Sequence, residues 1–227
     1  MASNQISFAS ENKKGNCPGL CFGEDSKSKQ GLIVLQEWWG INDQIKEEAA
    51  TIEKKGKFVV LVPDLYRGNV TTDNEEAGHL MGNLDWDGAV KDIQGAARKL
   101  KEMGCTKIGV TGFCMGGALS LAAAVRVPEI DAAAPFYGIP DAKLADVSKI
   151  RIPLQCHFGK NDNVEGFSCP KSQATLRKKL DTAGVKYEFH SYDAGHAFTN
   201  QKGPNYVEEC CTVALDRMVK FMNKNLS

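Results

Sequence analysis

Apolar residues in this chain follow two alternating patterns. Residues 31–36 and 58–62 are nearly unbroken apolar runs, read as strands covered on both faces. Between them Ile41, Ile45, Ala49 and Ile52 recur at helical spacing, with Gly56 as the expected stop. A longer amphipathic helix is expected over about 85–103, with Trp86, Ala89, Ile93, Ala97 and Leu100 in one stripe. Strand patterns follow at 108–111, 132–137 and 154–158. A helix is expected at about 170–183, closed by Gly184, and an alternating strand of edge type at 186–192. The last helix, about 205–224, carries Val207, Cys211, Leu215, Met218 and Met222 on one side. Near the start, 5–10 and 19–23 read as two strands joined by the polar turn 11–16. Repeated strand–helix units predict one α/β domain over 1–227, a mostly parallel central sheet with helices on both faces. Functional groups in such folds gather at the carboxyl ends of the strands.

Composition narrows the function classes. The 28 basic and 28 acidic residues balance over 227 positions, with no long run of either sign. That argues against nucleic acid or an acidic membrane as the main partner. No stretch has the length and apolarity of a membrane span, and the first residues lack a secretion-signal pattern, so the expected location is cytoplasmic. There the eight cysteines are expected to stay reduced. Cys17 and Cys21 read as one face of a strand, not half a metal site, since no second Cys/His pair stands at ligand spacing. No metal and no cofactor are expected.

One cysteine stands apart. The strand at 108–111 runs into Gly112-Phe113-Cys114-Met115-Gly116-Gly117 and then a small-residue helix. A sharp strand-to-helix turn strains its apex residue and crowds the backbone, so the positions two before and two after must lack bulk. Cys114 at that apex reads as a nucleophile, exposed at a helix N-terminus that favours its thiolate. The alternative is a buried cysteine in a tight turn. Two further strand ends carry partners: Asp162 in Gly159-Lys160-Asn161-Asp162, and His196 in Asp193-Ala194-Gly195-His196. Nucleophile, acid, histidine is the chain order of α/β-hydrolases. In that arrangement Cys114 attacks a carbonyl carbon, His196 moves the proton and Asp162 orients the imidazole. Asp141 is the second candidate acid and Asp64 the third. His157 and His190 fall inside strands, and His79 on a polar helix. After the first central strand, Gln36-Glu37-Trp38-Trp39-Gly40 offers the Trp38 N–H, which with that of Met115 forms the expected oxyanion hole. Glu37 sits in an apolar stretch that should raise its pKa, the alternative being an ordinary loop acid.

Several short motifs occur in one order: Gln36-Glu37 with Gly40, Pro63-Asp64-Leu65-Tyr66, the Cys114 turn, Phe136-Tyr137-Gly138, Gly159-x-x-Asp162, and Ala194-Gly195-His196-x-Phe198. With them the whole chain resembles the dienelactone hydrolase (carboxymethylenebutenolidase) family, of α/β-hydrolase fold. The resemblance implies a Cys114–His196–Asp162 triad and a Glu37 that contacts the resting thiol and helps deprotonate it. It also implies a substrate pocket near Trp38, Tyr137 and Phe198. Bacterial dienelactone enzymes hold the substrate carboxylate with arginines, one of them four residues past the histidine. Here that position is Asn200, and no arginine matches in 73–84. Arg67 is the candidate substitute, a surface-loop arginine the alternative.

The expected activity is hydrolysis of a small ester, lactone or thioester through an acyl-cysteine, by a monomer or weak homodimer. The competing readings are a non-catalytic binding protein of the same fold and a thiol redox sensor at Cys114.

Overall fold

The computed structural model describes residues 3–227 and contains one eight-stranded sheet. In chain order the elements are β1 (Asn4–Phe8), β2 (Cys17–Phe22), β3 (Gln30–Leu35), α1 (Asp43–Gly56), β4 (Val59–Pro63), α2 (Asn74–Gly82), α3 (Trp86–Glu102), β5 (Lys107–Phe113) and α4 (Met115–Arg126). Then come β6 (Ala132–Phe136), β7 (Leu154–Gly159), α5 (Pro170–Thr182), β8 (Tyr187–Tyr192) and α6 (Glu208–Asn225). The sheet runs β1-β2-β4-β3-β5-β6-β7-β8, parallel from β4 to β8, with the antiparallel β1–β2 pair on the β4 edge. This is the mostly parallel α/β sheet expected.

Successive residues of a strand face opposite sides of a sheet. Gly31 of β3 lies against Leu100 of α3, while its neighbour Leu32 shares the other face with Gly109, Met222 and Leu226. The α3–α4 pair therefore covers one face and the α1–α6 pair the other. Side chains of β3 and β5 are buried on both sides, which explains the continuous apolar runs. The edge strand β8 does not show the alternation read from the sequence: Glu188 and Ser191 are exposed, Tyr187, Phe189 and His190 half-buried, and Tyr192 buried.

Some boundaries differ from the sequence expectation for local reasons, and α1 ends at Gly56 as expected but by another device. β1 ends at Phe8 because Ser10 and Asn12 turn to hydrogen-bond the buried carboxylate of Asp92 on α3, at 2.6 and 2.8 Å. Gly56 does not stop α1 by a left-handed turn. It remains helical to admit the Phe58 ring, which a Cβ would overlap, and Lys57 takes the left-handed conformation at φ 57°. α6 begins only at Glu208, because residues 200–205 form turns after the His196 loop.

All eight cysteines are free thiols, with Cys17 and Cys21 buried together on β2. Among the described residues no helix is long and apolar enough to cross a membrane. Nor do three His, Cys, Asp or Glu side chains converge there as metal ligands.

Candidate active site

The sheet order places β3, β5, β6, β7 and β8 side by side. Their carboxyl ends deliver Glu37 and Trp38, Cys114, Tyr137, Asp162 and His196 in that sequence across the molecule. Residues far apart in the chain thus share one edge of the sheet.

Cys114 joins β5 to α4 with φ 55° and ψ −114°, a conformation costing a non-glycine residue about 1–3 kcal/mol. Packing holds it there. The Cys114 N–H donates to the Phe136 carbonyl at 3.2 Å, and its own carbonyl accepts from Ala118 at 3.1 Å. Four glycines make the turn possible. A Cβ on Gly112 would overlap the Gly116 carbonyl, and on Gly116 the Leu35 and Gln36 carbonyls. One on Gly117 would strike the Phe136 carbonyl, and one on Gly138 the carbonyl of Cys114 itself. The backbone N–H groups of Met115 and Trp38 both lie beside the Cys114 sulfur and favour its charged form. An oxygen developing beside that sulfur would meet the same two donors.

The thiol is held as a thiol. Burial raises the Cys114 pKa, and the nearby Glu37 carboxylate raises it further, against the two N–H donors. Burial, with Cys114 only 9% exposed, works against the thiolate expected at the helix N-terminus.

His196 sits at the tip of the loop after β8, with Nδ1 2.8 Å from Asp162 Oδ2 and 3.0 Å from Ser168 Oγ. Asp162 is fully buried at its side chain, and its other oxygen accepts from the Val164 N–H at 3.0 Å. With Nδ1–H given to Asp162, Nε2 is left unprotonated as the available base. The other candidate acids lie elsewhere. Asp141 is exposed and accepts from the Lys143 N–H, and Asp64 accepts from the Tyr66 and Gly68 N–H groups in its own turn. His157 is buried between Phe136 and the Tyr192 hydroxyl, and burial pushes its pKa well down, so it is a neutral core residue.

Glu37 is almost fully buried. It accepts from Asn200 Nδ2 at 2.8 Å and Tyr137 Oη at 3.3 Å, and burial raises its pKa. Tyr137 Oη also meets Thr199 Oγ1 at 2.8 Å, and Thr199 adjoins a second buried acid, Glu48 of α1. Gln44 donates to Glu48, whose other oxygen is unpaired; burial and Glu37 drive the Glu48 pKa well above the usual carboxylate range.

Two expected pocket residues are instead supports. Tyr137 and Phe198 are completely buried, and the Tyr137 ring packs edge-on against both the His196 imidazole, at 5.2 Å, and Phe198, at 5.4 Å. Asn200 belongs to the Glu37 cluster. Arg67 is not part of the site: its guanidinium makes two hydrogen bonds to the buried Asp92, at 2.8 and 2.9 Å, and one to the Asp64 carbonyl. The loop arginine expected to replace the missing clamp is a structural cross-link, because among the described residues it is the only counter-charge bonded to Asp92. Sequence reading passed over Ser168, Thr199 and Glu48. Only Glu48 left a trace, as a charged residue beside the apolar stripe of α1.

A mostly parallel sheet, a strained cysteine between a strand and a helix and an Asp–His pair on later strand ends are the architecture of the α/β-hydrolase fold. The dienelactone hydrolase family profile matches residues 17–226, and the chain belongs to that family. It is 33% identical to Protein usf of Aquifex pyrophilus over 191 residues, 79% of this chain and 81% of that one. It is 26% identical to the carboxymethylenebutenolidase of Pseudomonas putida over 222 residues, 92% of each. The crystal structure of a putative dienelactone hydrolase from Klebsiella pneumoniae superposes with a TM-score of 0.83 at 22% identity, covering 98% of this chain and 99% of that one.

Proposed function

We propose that this protein hydrolyses small carboxylic esters or lactones, and activated thioesters, through an acyl-cysteine on Cys114. The observation that carries the reading is the strained Cys114 turn, whose sulfur lies beside two backbone donors, on the same sheet edge as the Asp162–His196 pair.

The chemistry starts from a neutral thiol. The S–H proton passes to His196 Nε2, directly or by way of Glu37, as substrate excludes water, and the sulfur attacks the carbonyl carbon. The carbonyl oxygen takes negative charge between the Trp38 and Met115 N–H groups. Collapse breaks the C–O bond, and His196 gives its proton to the departing alkoxide. A water molecule, deprotonated by His196, then attacks the thioester, releasing the acid and restoring the thiol. Asp162, oriented by the Val164 N–H, holds the imidazolium in both half-reactions. Ser168 completes the shell around Nδ1.

The names of the relatives suggest a lactone substrate. Asn200 and the occupied Arg67 leave no guanidinium for a carboxylated one, so neutral substrates fit better. A buried, raised-pKa thiol is also a poor peroxide sensor, which favours hydrolysis over redox sensing.

The test is a panel of activated esters, lactones and thioesters assayed with wild type and Cys114→Ala. Saturable turnover that falls by more than about 10³ in the variant is expected. Equal turnover by both proteins overturns the proposal.

A further inference from the structure

Large apolar side chains are well exposed on this molecule only singly, at Val70 and Val213 among the described residues. One groove gathers them instead. Met81 of α2, Trp86 of α3, Ile139, Pro140, Leu144 and Phe167 line a cleft of about 490 Å³. All but Pro140 are half-buried hydrophobes packed against the core from outside. Such concentration on one patch marks a binding surface.

The groove adjoins the histidine through one of its lining residues. Phe167 forms one wall and meets the His196 imidazole edge-on at 6.2 Å. Ile139 and Pro140, also in the lining, follow Gly138, whose backbone is pressed against the Cys114 carbonyl. The two oxyanion donors belong to the β3 and β5 ends, whereas Phe167 lies on the connection from β7 to α5. His196 must hand its proton to the leaving oxygen, so that oxygen faces the imidazole and the wall beside it.

Charge decides which leaving groups the groove accepts. It holds Asp87, Asp141 and Lys143. Asp87 is paired with Arg126 at 2.6 Å, and Asp141 accepts from the backbone of Lys143 at 2.7 Å. Two acids against two bases leave no net positive charge to draw a carboxylate.

We propose that this groove is the leaving-group subsite, and that the substrates are esters of uncharged alkyl or aryl alcohols. The assignment rests on the acyl-cysteine reading above. In the step concerned the C–S bond forms, the ester C–O bond breaks, and the alcohol departs into the groove with the His196 proton.

Two ester series separate the possibilities, followed by proton release in a pH-stat. The first fixes the acyl group and varies the alcohol: ethyl, butyl, hexyl and benzyl acetate. The second fixes the alcohol and varies the acid, from ethyl acetate to ethyl hexanoate. The expected result is a kcat/KM that rises about threefold per methylene in the alcohol series, near the value of a mostly buried CH₂, and stays flat in the acyl series. Met81→Asp, on the half-exposed side of α2, should lower the hexyl-to-ethyl ratio at least tenfold. Phe167→Ala, which removes a wall without adding charge, should lower the same ratio and guards against misfolding of the first variant. A flat alcohol series, a rise confined to the acyl series, or an unchanged ratio in a folded variant overturns the subsite. Turnover that survives Cys114→Ala, or none in either series, removes the acyl-cysteine reading itself.

Discussion

The Cys114 turn and the groove beside it are neighbours built on opposite terms. At the turn, every glycine is demanded by backbone, and a single added methyl at Gly112, Gly116, Gly117 or Gly138 would overlap a main-chain atom. On α2, which brings Met81 to the groove, a Cβ at Gly78 or Gly82 would meet nothing within 4 Å. The first region is overdetermined and holds a strained residue in place. The second has slack, and its side chains are half exposed. The contrast teaches that chemistry is fixed by main-chain packing, while the wall that selects a substrate can change without disturbing it.

The largest effect should come from the determined side. Asp162→Asn keeps the shape of the pair but leaves the imidazole in the wrong tautomer. A fall in kcat of about 10³–10⁴ is expected with an unchanged melting curve. A change confined to KM would place Asp162 outside the chemistry and blur the contrast. Gly117→Ala comes next: its methyl strikes the Phe136 carbonyl, so denaturant titration should show about 3 kcal/mol or more of lost stability.

A pH effect separates the buried floor from the rim. The folded Glu48 carboxyl titrates well above its ordinary value of 4.5, raised by burial and by Glu37. Its neutral form therefore supports the fold fully below about pH 4.5, and that support is lost as pH rises toward the folded pKa. Glu48→Gln keeps an acceptor for Gln44 and never ionises. Calorimetry should find a Tm a few degrees above wild type at pH 8 and little or no gain at pH 4.5. The reverse order would mean that Glu48 is buried as an ion.

The smallest effect belongs to the slack region. Gly78 lies inside α2 with open space around it, so Gly78→Ala should stabilise by roughly 0.5–1 kcal/mol while kcat is retained. Identical stability losses for Gly78→Ala and Gly117→Ala would break the comparison outright.

Much of the fold was legible because the sheet is buried on both faces. Strands β3, β4 and β5 leave unbroken apolar runs, and the glycines around Cys114 record a steric demand that spacing alone reveals. The positions of Asp162 and His196 could be read from the rule that strand ends converge. Partners chosen through space were not legible. Arg67 looks like any loop arginine until Asp92 is folded against it, 25 residues along the chain. Ser168, on the connection before α5, carries no pattern that names His196 as its neighbour. The sign of the Cys114 shift was also hidden. A helix N-terminus is visible in sequence, but the burial that works against it depends on Glu37, Tyr66 and Tyr137 arriving from three other strand ends.

The most direct measurement is to quench the protein in acid during turnover of p-nitrophenyl acetate and map the acetyl group by peptide mass spectrometry. The predicted result is one acetyl group, carried as a thioester by Cys114 alone among the eight cysteines and discharged by neutral hydroxylamine. An acetyl group on a serine or on another cysteine, with Cys114 unmodified, would contradict the account.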